Sequence, residues 1–129
     1  MALSNITTAF NNHFEEFIND IIRIFPEDVD ILSAKTAFST IRKTNPKMIV
    51  RLWTKYITLP YNSEIQEGNI DFFLNKDYSS DFGDSEEYDR IMSIINRLRE
   101  PIRNMNPNDQ AKSMKYIQNL TKLSLMVQV

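Results

Sequence analysis

Apolar residues recur at helical spacing along almost the whole chain. In the first segment they follow one another at steps of three and four, which predicts an amphipathic helix over about residues 5–25. Pro26 ends this helix, because proline lacks the backbone N–H that a further turn needs. The predicted buried stripe consists of Ile6, Phe10, Phe14, Phe17, Ile21 and Ile24.

Two further helices are predicted before residue 60. Asp28 or Asp30 is expected to cap the first of them. The dipeptide Asn45-Pro46 opens the second, with Asn45 as the N-cap and Pro46 at the first helical position, and Leu59-Pro60 ends it. Their predicted buried faces are Ile31, Ala34, Phe38 and Ile41 in the first, and Met48, Ile49, Leu52, Trp53, Tyr56 and Ile57 in the second.

The second half of the chain repeats this pattern. A short helix over residues 61–67 is expected to end at Gly68, and residues 75–87 are predicted to form an acidic loop. The longest amphipathic helix follows, with a kink expected near residues 97–101 because Pro101 lies inside its register. Asn106-Pro107 then opens the last helix. The predicted apolar positions are Ile70, Phe73 and Leu74, then Ile91, Ile95, Leu98, Ile102 and Met105, and finally Met114, Ile117, Leu120 and Leu123.

These elements predict an all-α protein, a compact bundle of about five to six helices with no significant sheet. Residues 1–129 fit a single domain. The sequence Ile-Arg-x-x-Asn-Pro occurs at residues 41–46 and again at 102–107. It indicates either a duplicated helical hairpin, over about 28–57 and 85–126, or a common way of starting a helix.

Charge is sorted into four blocks of alternating sign. Residues 1–30 contain six acids and one base, and residues 31–63 contain six bases and no acid. Residues 64–89 contain nine acids and one base, and residues 90–129 contain seven bases and two acids. Such blocks predict opposed faces, which pair within the fold, with another copy of the chain or with a partner.

Several classes of function find no support in the residues. The chain has no Cys, two Gly and a single histidine, His13, so thiol chemistry, glycine-rich phosphate loops and His-rich metal sites are not expected. Asp77, Ser79 and Asp81 have calcium-loop spacing, but Phe82 stands where the turn requires Gly. We therefore expect no cofactor, no metal and no enzymatic activity. No signal pattern or membrane-length apolar run is present, so neither secretion nor membrane insertion is expected.

The strongest binding candidate is a basic stripe on the third helix. Lys47, Arg51 and Lys55 recur at steps of four, and Arg42 and Lys43 precede them. Two helices joined by a tight turn, the second of them basic, could contact nucleic acid as a helix-turn-helix does. The alternative is that the stripe faces the acidic block, another chain or a protein partner.

Three other groups are candidates for partner contacts. Phe72 would be an interface anchor if it is exposed. The tail residues Leu125 and Val127 either dock on a partner or pack back on the bundle. The acidic residues Asp77, Asp81 and Asp84 would attract a basic partner.

Four segments carry a family resemblance: FPEDVDILSAKTA, TNPKMIVRLW, GNIDFFLNKDYSSD and MKYIQNLTKLS. They resemble a family of small helical proteins from large double-stranded DNA viruses of algae and other protists, over about residues 14–124. The resemblance implies a structural or interaction protein, such as a minor capsid or other virion component, located in the virion or in the cytoplasm of the infected host cell. Its partners would be other virion proteins or copies of itself. The family supplies no catalytic or ligand-binding residue to carry over.

Overall fold

A computed structural model describes residues 2–75 and 86–127 of the chain, and the surroundings of side chains for residues 6–75, 89–90 and 92–127. This part of the chain is helical and contains no strand, so the all-α prediction is confirmed. Met48–Trp53 (α3), a π-helical segment over Thr54–Thr58 and Leu59–Gln66 (α4) follow one another directly and form one rod with a kink at Tyr61. The described residues thus contain six helical rods, within the predicted five to six. The elements are α1 (Ala2–Ile24), α2 (Val29–Thr44), α3 (Met48–Trp53), the π segment (Thr54–Thr58), α4 (Leu59–Gln66), α5 (Ile70–Asn75), α6 (Glu86–Arg103) and α7 (Pro107–Met126).

Local chemistry sets several of the helix ends as predicted. The carboxylate of Asp28, rather than that of Asp30, caps α2 by accepting from the amides of Asp30 and Ile31. Asn106 caps α7 by accepting from the amide of Asp109 at 2.8 Å. Gly68 ends α4 in the left-handed conformation, with a φ of 80°.

The prediction that Asn45 caps the third helix is wrong. α3 begins at Met48, and the carbonyl of Asn45 instead accepts from the Met48 amide at 3.0 Å to close a turn. Asn11 of α1 holds this turn by donating from Nδ2 to the carbonyl of Pro46 at 2.9 Å. The start of α3 thus has no side-chain cap, and a contact between segments 35 residues apart holds the turn before it.

The third helix ends just after Pro60, as predicted. Over the π segment the hydrogen-bonding pattern widens, and the amide of Leu59 bonds to the carbonyl of Thr54. Tyr61, directly after Pro60, has a non-helical φ of −130° and ψ of 18°, so the helix is broken there and a short helix leads on toward Gly68. By contrast, α6 continues through Pro101 to Arg103.

The core lies where the apolar stripes predict it. Residues from these stripes that are buried include Phe17, Phe38, Trp53, Ile95 and Leu98. Phe14 lies at the centre, stacked on Phe38 at 4.9 Å and edge-on to Trp53 at 5.9 Å. α1, α2 and α3 thus share one aromatic centre.

A buried line of hydroxyl groups joins the π segment and α3 to α7. Trp53 Nε1 donates to Thr121 Oγ1 at 3.2 Å, and the hydroxyls of Thr58 and Ser124 lie 2.6 Å apart. Thr121 and Ser124 also donate to carbonyls of α7, so each hydroxyl has a partner. These bonds fix how far α7 is shifted along α3 and the π segment.

α1 and α7 pack antiparallel to one another. Asp20, late in α1, meets Lys112, early in α7, at 3.5 Å, and the Phe17 and Tyr116 rings stack at 5.3 Å. Among the helices described, none has both the length and the apolar character required to cross a membrane.

Candidate interaction surfaces

The basic stripe forms an exposed column on one side of the third rod. Lys47, Arg51 and Lys55 are all exposed, and the next residue at this spacing, Leu59, is 70% exposed. In an α-helix, positions four apart drift by about 40° around the axis, because each residue turns by about 100°. The wider π turn rotates less per residue and so limits this drift between Lys55 and Leu59. We call these four residues the basic column.

Two further cations lie beside the basic column at the end of α2. Lys43 is exposed. Arg42 is turned toward the fold instead: its guanidinium lies 3.5 Å from the Glu15 carboxylate and donates to the Asn12 side chain. Arg42 therefore joins the first acidic block to the first basic block, as the alternating charges predict.

Leu125, one of the candidate contact residues, is exposed on α7, with 51% of its surface accessible.

The remaining sequence candidates differ in how accessible they are. Ser124 and Val127 are buried, which favours the alternative that this part of the tail packs on its own bundle, whereas Leu125 and Met126 are exposed. Phe72 is half-buried, with its ring 5.0 Å from that of Tyr61. Asp77, Asp81 and Asp84 lie outside the described residues, as does most of the predicted acidic loop.

A second surface, which the sequence reasoning missed, is a groove between α1 and α7. It consists of two adjoining cavities of about 560 and 220 Å³, both bordered by His13, Glu16 and Asn119. Ala9 and Met126 border the larger cavity, and Lys112 and Lys115 border the smaller one. We call this surface the α1/α7 groove.

His13 forms part of the floor of the α1/α7 groove. Its ring lies 4.9 Å from that of Tyr116, and its Nε2 is shielded from solvent with no hydrogen-bond partner. Burial lowers the pKa of the imidazole, and the negative charge of Glu16 offsets only part of this effect. A neutral ring with a shielded nitrogen is not presented to a substrate as a general base would be.

The lowered pKa of His13 predicts that acid destabilises the fold. Because the unfolded chain binds a proton at this residue more readily than the folded chain does, stability falls as the pH drops below about 6.5. Replacing His13 with phenylalanine keeps a ring against Tyr116 and removes this titration. Urea unfolding at about pH 7.5 and about pH 5.5 should therefore show a smaller pH effect in the variant than in the wild type. The titratable or charged groups that border the same cavities are Glu16, Lys112, Lys115, Tyr116 and Lys122.

Equal losses of stability in the two proteins would contradict this assignment. The carboxylates that titrate at lower pH are present in both, so they cancel in the comparison.

No cluster that could hold a metal ion is found among the described residues. Comparison with protein-family models, curated proteins and solved structures gives no match to this chain.

Proposed function

We propose that this chain is a non-enzymatic interaction protein that binds an acidic surface of a protein partner through the basic column. The observation that carries the proposal is the alignment of Lys47, Arg51 and Lys55 on an exposed surface that ends at the exposed apolar side chain of Leu59. Cations orient an acidic partner, while exposed apolar side chains supply contact area that water leaves on binding.

The position of the basic column supports this choice. It lies along the exposed side of a rod whose opposite side is in the core. Lys55 also lies over the ring of Tyr56, 5.2 Å from its centroid.

The family resemblance gives the proposal its setting. We propose that the partners are other virion proteins and that the chain acts in the virion or in the cytoplasm of the infected cell. Mass spectrometry of purified particles tests this part separately, since a packaged component is expected to be recovered in a fixed ratio to the major capsid protein.

The column itself is tested by reversing its charge. A Lys47→Glu/Lys55→Glu variant changes the net charge by four units, and Arg90→Glu/Arg97→Glu, on the exposed surface of α6, is a matched control. In quantitative mass spectrometry of proteins that co-purify with the chain from infected cells, the column variant is expected to lose its partners about tenfold or more. The control is expected to retain them. Stability should change little in either variant, because exposed pairs contribute only about 0–1 kcal/mol each.

Retention of the same partners by the column variant would overturn the proposal. Loss of the partners from both variants would show that only net charge matters.

Nucleic acid is the alternative partner for the same cations. Five of the six residues of α3 are buried and Arg51 alone is exposed, so α3 offers little surface to enter a major groove. Titration of a 20-base-pair duplex, about two helical turns, at increasing salt separates the two functions. A steep fall in affinity with salt would favour the nucleic-acid function, and weak binding at every salt concentration would favour the protein partner.

A further inference from the structure

The two sides of the α1/α7 groove carry opposite charges. On the α1 side, Glu16 is exposed, and Asp20 meets Lys112 of α7 at 3.5 Å. On the α7 side, Lys112, Lys115 and Lys122 are all exposed. The α7 edge of the groove is therefore basic, and Glu16 is the acid on the α1 edge opposite it.

The contacts between α1 and α7 show which residues lie at the same level along the groove. Asp20 meets Lys112 and Phe17 stacks on Tyr116, so residue numbers rise along α7 as they fall along α1. Glu16 therefore lies near the level of Lys115, and Ala9 near that of Met126. Met126 is 57% exposed, and the residue opposite it, Ala9, is small and exposed. Each level thus pairs an α1 residue with an α7 residue of complementary charge or size.

With a two-fold axis that runs along the groove, parallel to α1 and α7, this surface is complementary to itself. Rotation about that axis places α1 of one copy over α7 of the other, at the same level and antiparallel to it. Glu16 then faces Lys115 of the second copy, and Ala9 faces its Met126, each contact occurring twice. A two-fold axis perpendicular to the helices would instead place acidic residues of one copy opposite acidic residues of the other. The charges therefore favour the first arrangement.

We propose that the α1/α7 groove is a docking surface for a second copy of this chain, and that the two copies form an antiparallel four-helix bundle. Every neighbouring pair of helices in that bundle is antiparallel, as in ordinary four-helix bundles. The contact runs for about 21 Å along α7 from residue 112 to residue 126, at about 1.5 Å per residue. This surface is separate from the basic column, and the proposal does not depend on the function assigned to that column.

Reciprocal charge reversal tests the arrangement. The wild type is expected to sediment at twice its chain mass of 15.2 kDa. Glu16→Lys sets lysine against Lys115 at both contacts, and Lys115→Glu sets glutamate against Glu16. Each single variant is expected to dimerise about tenfold or more weakly, because a favourable pair becomes a repulsive one at two places.

Mixing the two single variants provides the decisive measurement. An equimolar mixture of the Glu16→Lys and Lys115→Glu chains restores both opposite-charge contacts and is expected to form a heterodimer. The double variant Glu16→Lys/Lys115→Glu restores them within one chain and is expected to form homodimers. Arg97→Glu, on the exposed surface of α6, is the control and should dimerise as the wild type does.

A further variant distinguishes weaker dimerisation from a loss of folding. Met126→Glu puts a charge opposite Ala9 without altering either charged edge, and it is expected to weaken dimerisation with unchanged helical content in circular dichroism. A wild type that stays at 15.2 kDa at every concentration would overturn the proposal. Single variants that dimerise normally, or a mixture that stays monomeric, would also overturn it.

Discussion

Replacing Trp53 with alanine is expected to lower the free energy of unfolding by about 3–5 kcal/mol, a large part of the stability of a small domain. The indole is 1% exposed, edge-on to Phe14, and bonded through Nε1 to Thr121. Its removal leaves a large cavity and a buried hydroxyl that loses its donor. Chemical denaturation of the two proteins measures the difference.

Leu59→Ala is the matched control for this variant. It removes a large apolar side chain from the same rod, but the leucine is 70% exposed, so a change within about 0.5 kcal/mol is expected. A small effect at Trp53 would contradict the packing described for the aromatic centre.

Deleting residues 124–129 is expected to destabilise the fold by roughly 3 kcal/mol, the combined effect of a lost buried hydroxyl pair and a lost buried valine. Ser124 bonds to the Thr58 hydroxyl, and Val127 is buried in the core. The expected result is a lower melting temperature.

The shorter deletion of residues 128–129 is the comparison, since it leaves Ser124 and Val127 in place. If the longer deletion left the melting temperature unchanged but abolished binding of a partner, the tail would be a binding segment and not part of the bundle. Destabilisation confined to the longer deletion supports self-packing.

The sequence alone predicts the structure correctly where the residues that determine it lie close together in the chain. Asp28, Asn106 and Gly68 act on amides or carbonyls within a few residues of themselves, so their roles follow from residue type and spacing. The buried faces of α2 and α7 follow equally directly from the helical period.

Asn45-Pro46 is the position where the prediction of a helix start was wrong. Asn45-Pro46 and Asn106-Pro107 are the same dipeptide, yet only the second caps a helix. At the first, the Asn45 carbonyl closes a turn with the Met48 amide, and Asn11 of α1 donates to the Pro46 carbonyl. The contact with Asn11, 35 positions away, and the π segment have no local signal in the sequence.

The α7 side of the α1/α7 groove corresponds to a pattern of polar residues in the sequence, which a search for apolar stripes does not find. Positions 112, 115, 119, 122 and 126 of α7 recur at steps of three and four and are polar except for Met126. This is a second helical stripe, beside the apolar one. Pairing it with His13 and Glu16 requires knowing that α1 is the neighbour of α7, which the sequence alone does not state.

The antiparallel pairing of α1 and α7 has a consequence for synthesis on the ribosome. Asp20 and Lys112 are separated by 92 positions, so the aromatic stripe of α1 is made long before the helix that covers it. At about 5–20 residues per second, Phe17 waits several seconds for Tyr116. During that interval the nascent chain exposes the apolar face of α1. α1 is therefore the segment where a chaperone or another nascent chain would bind.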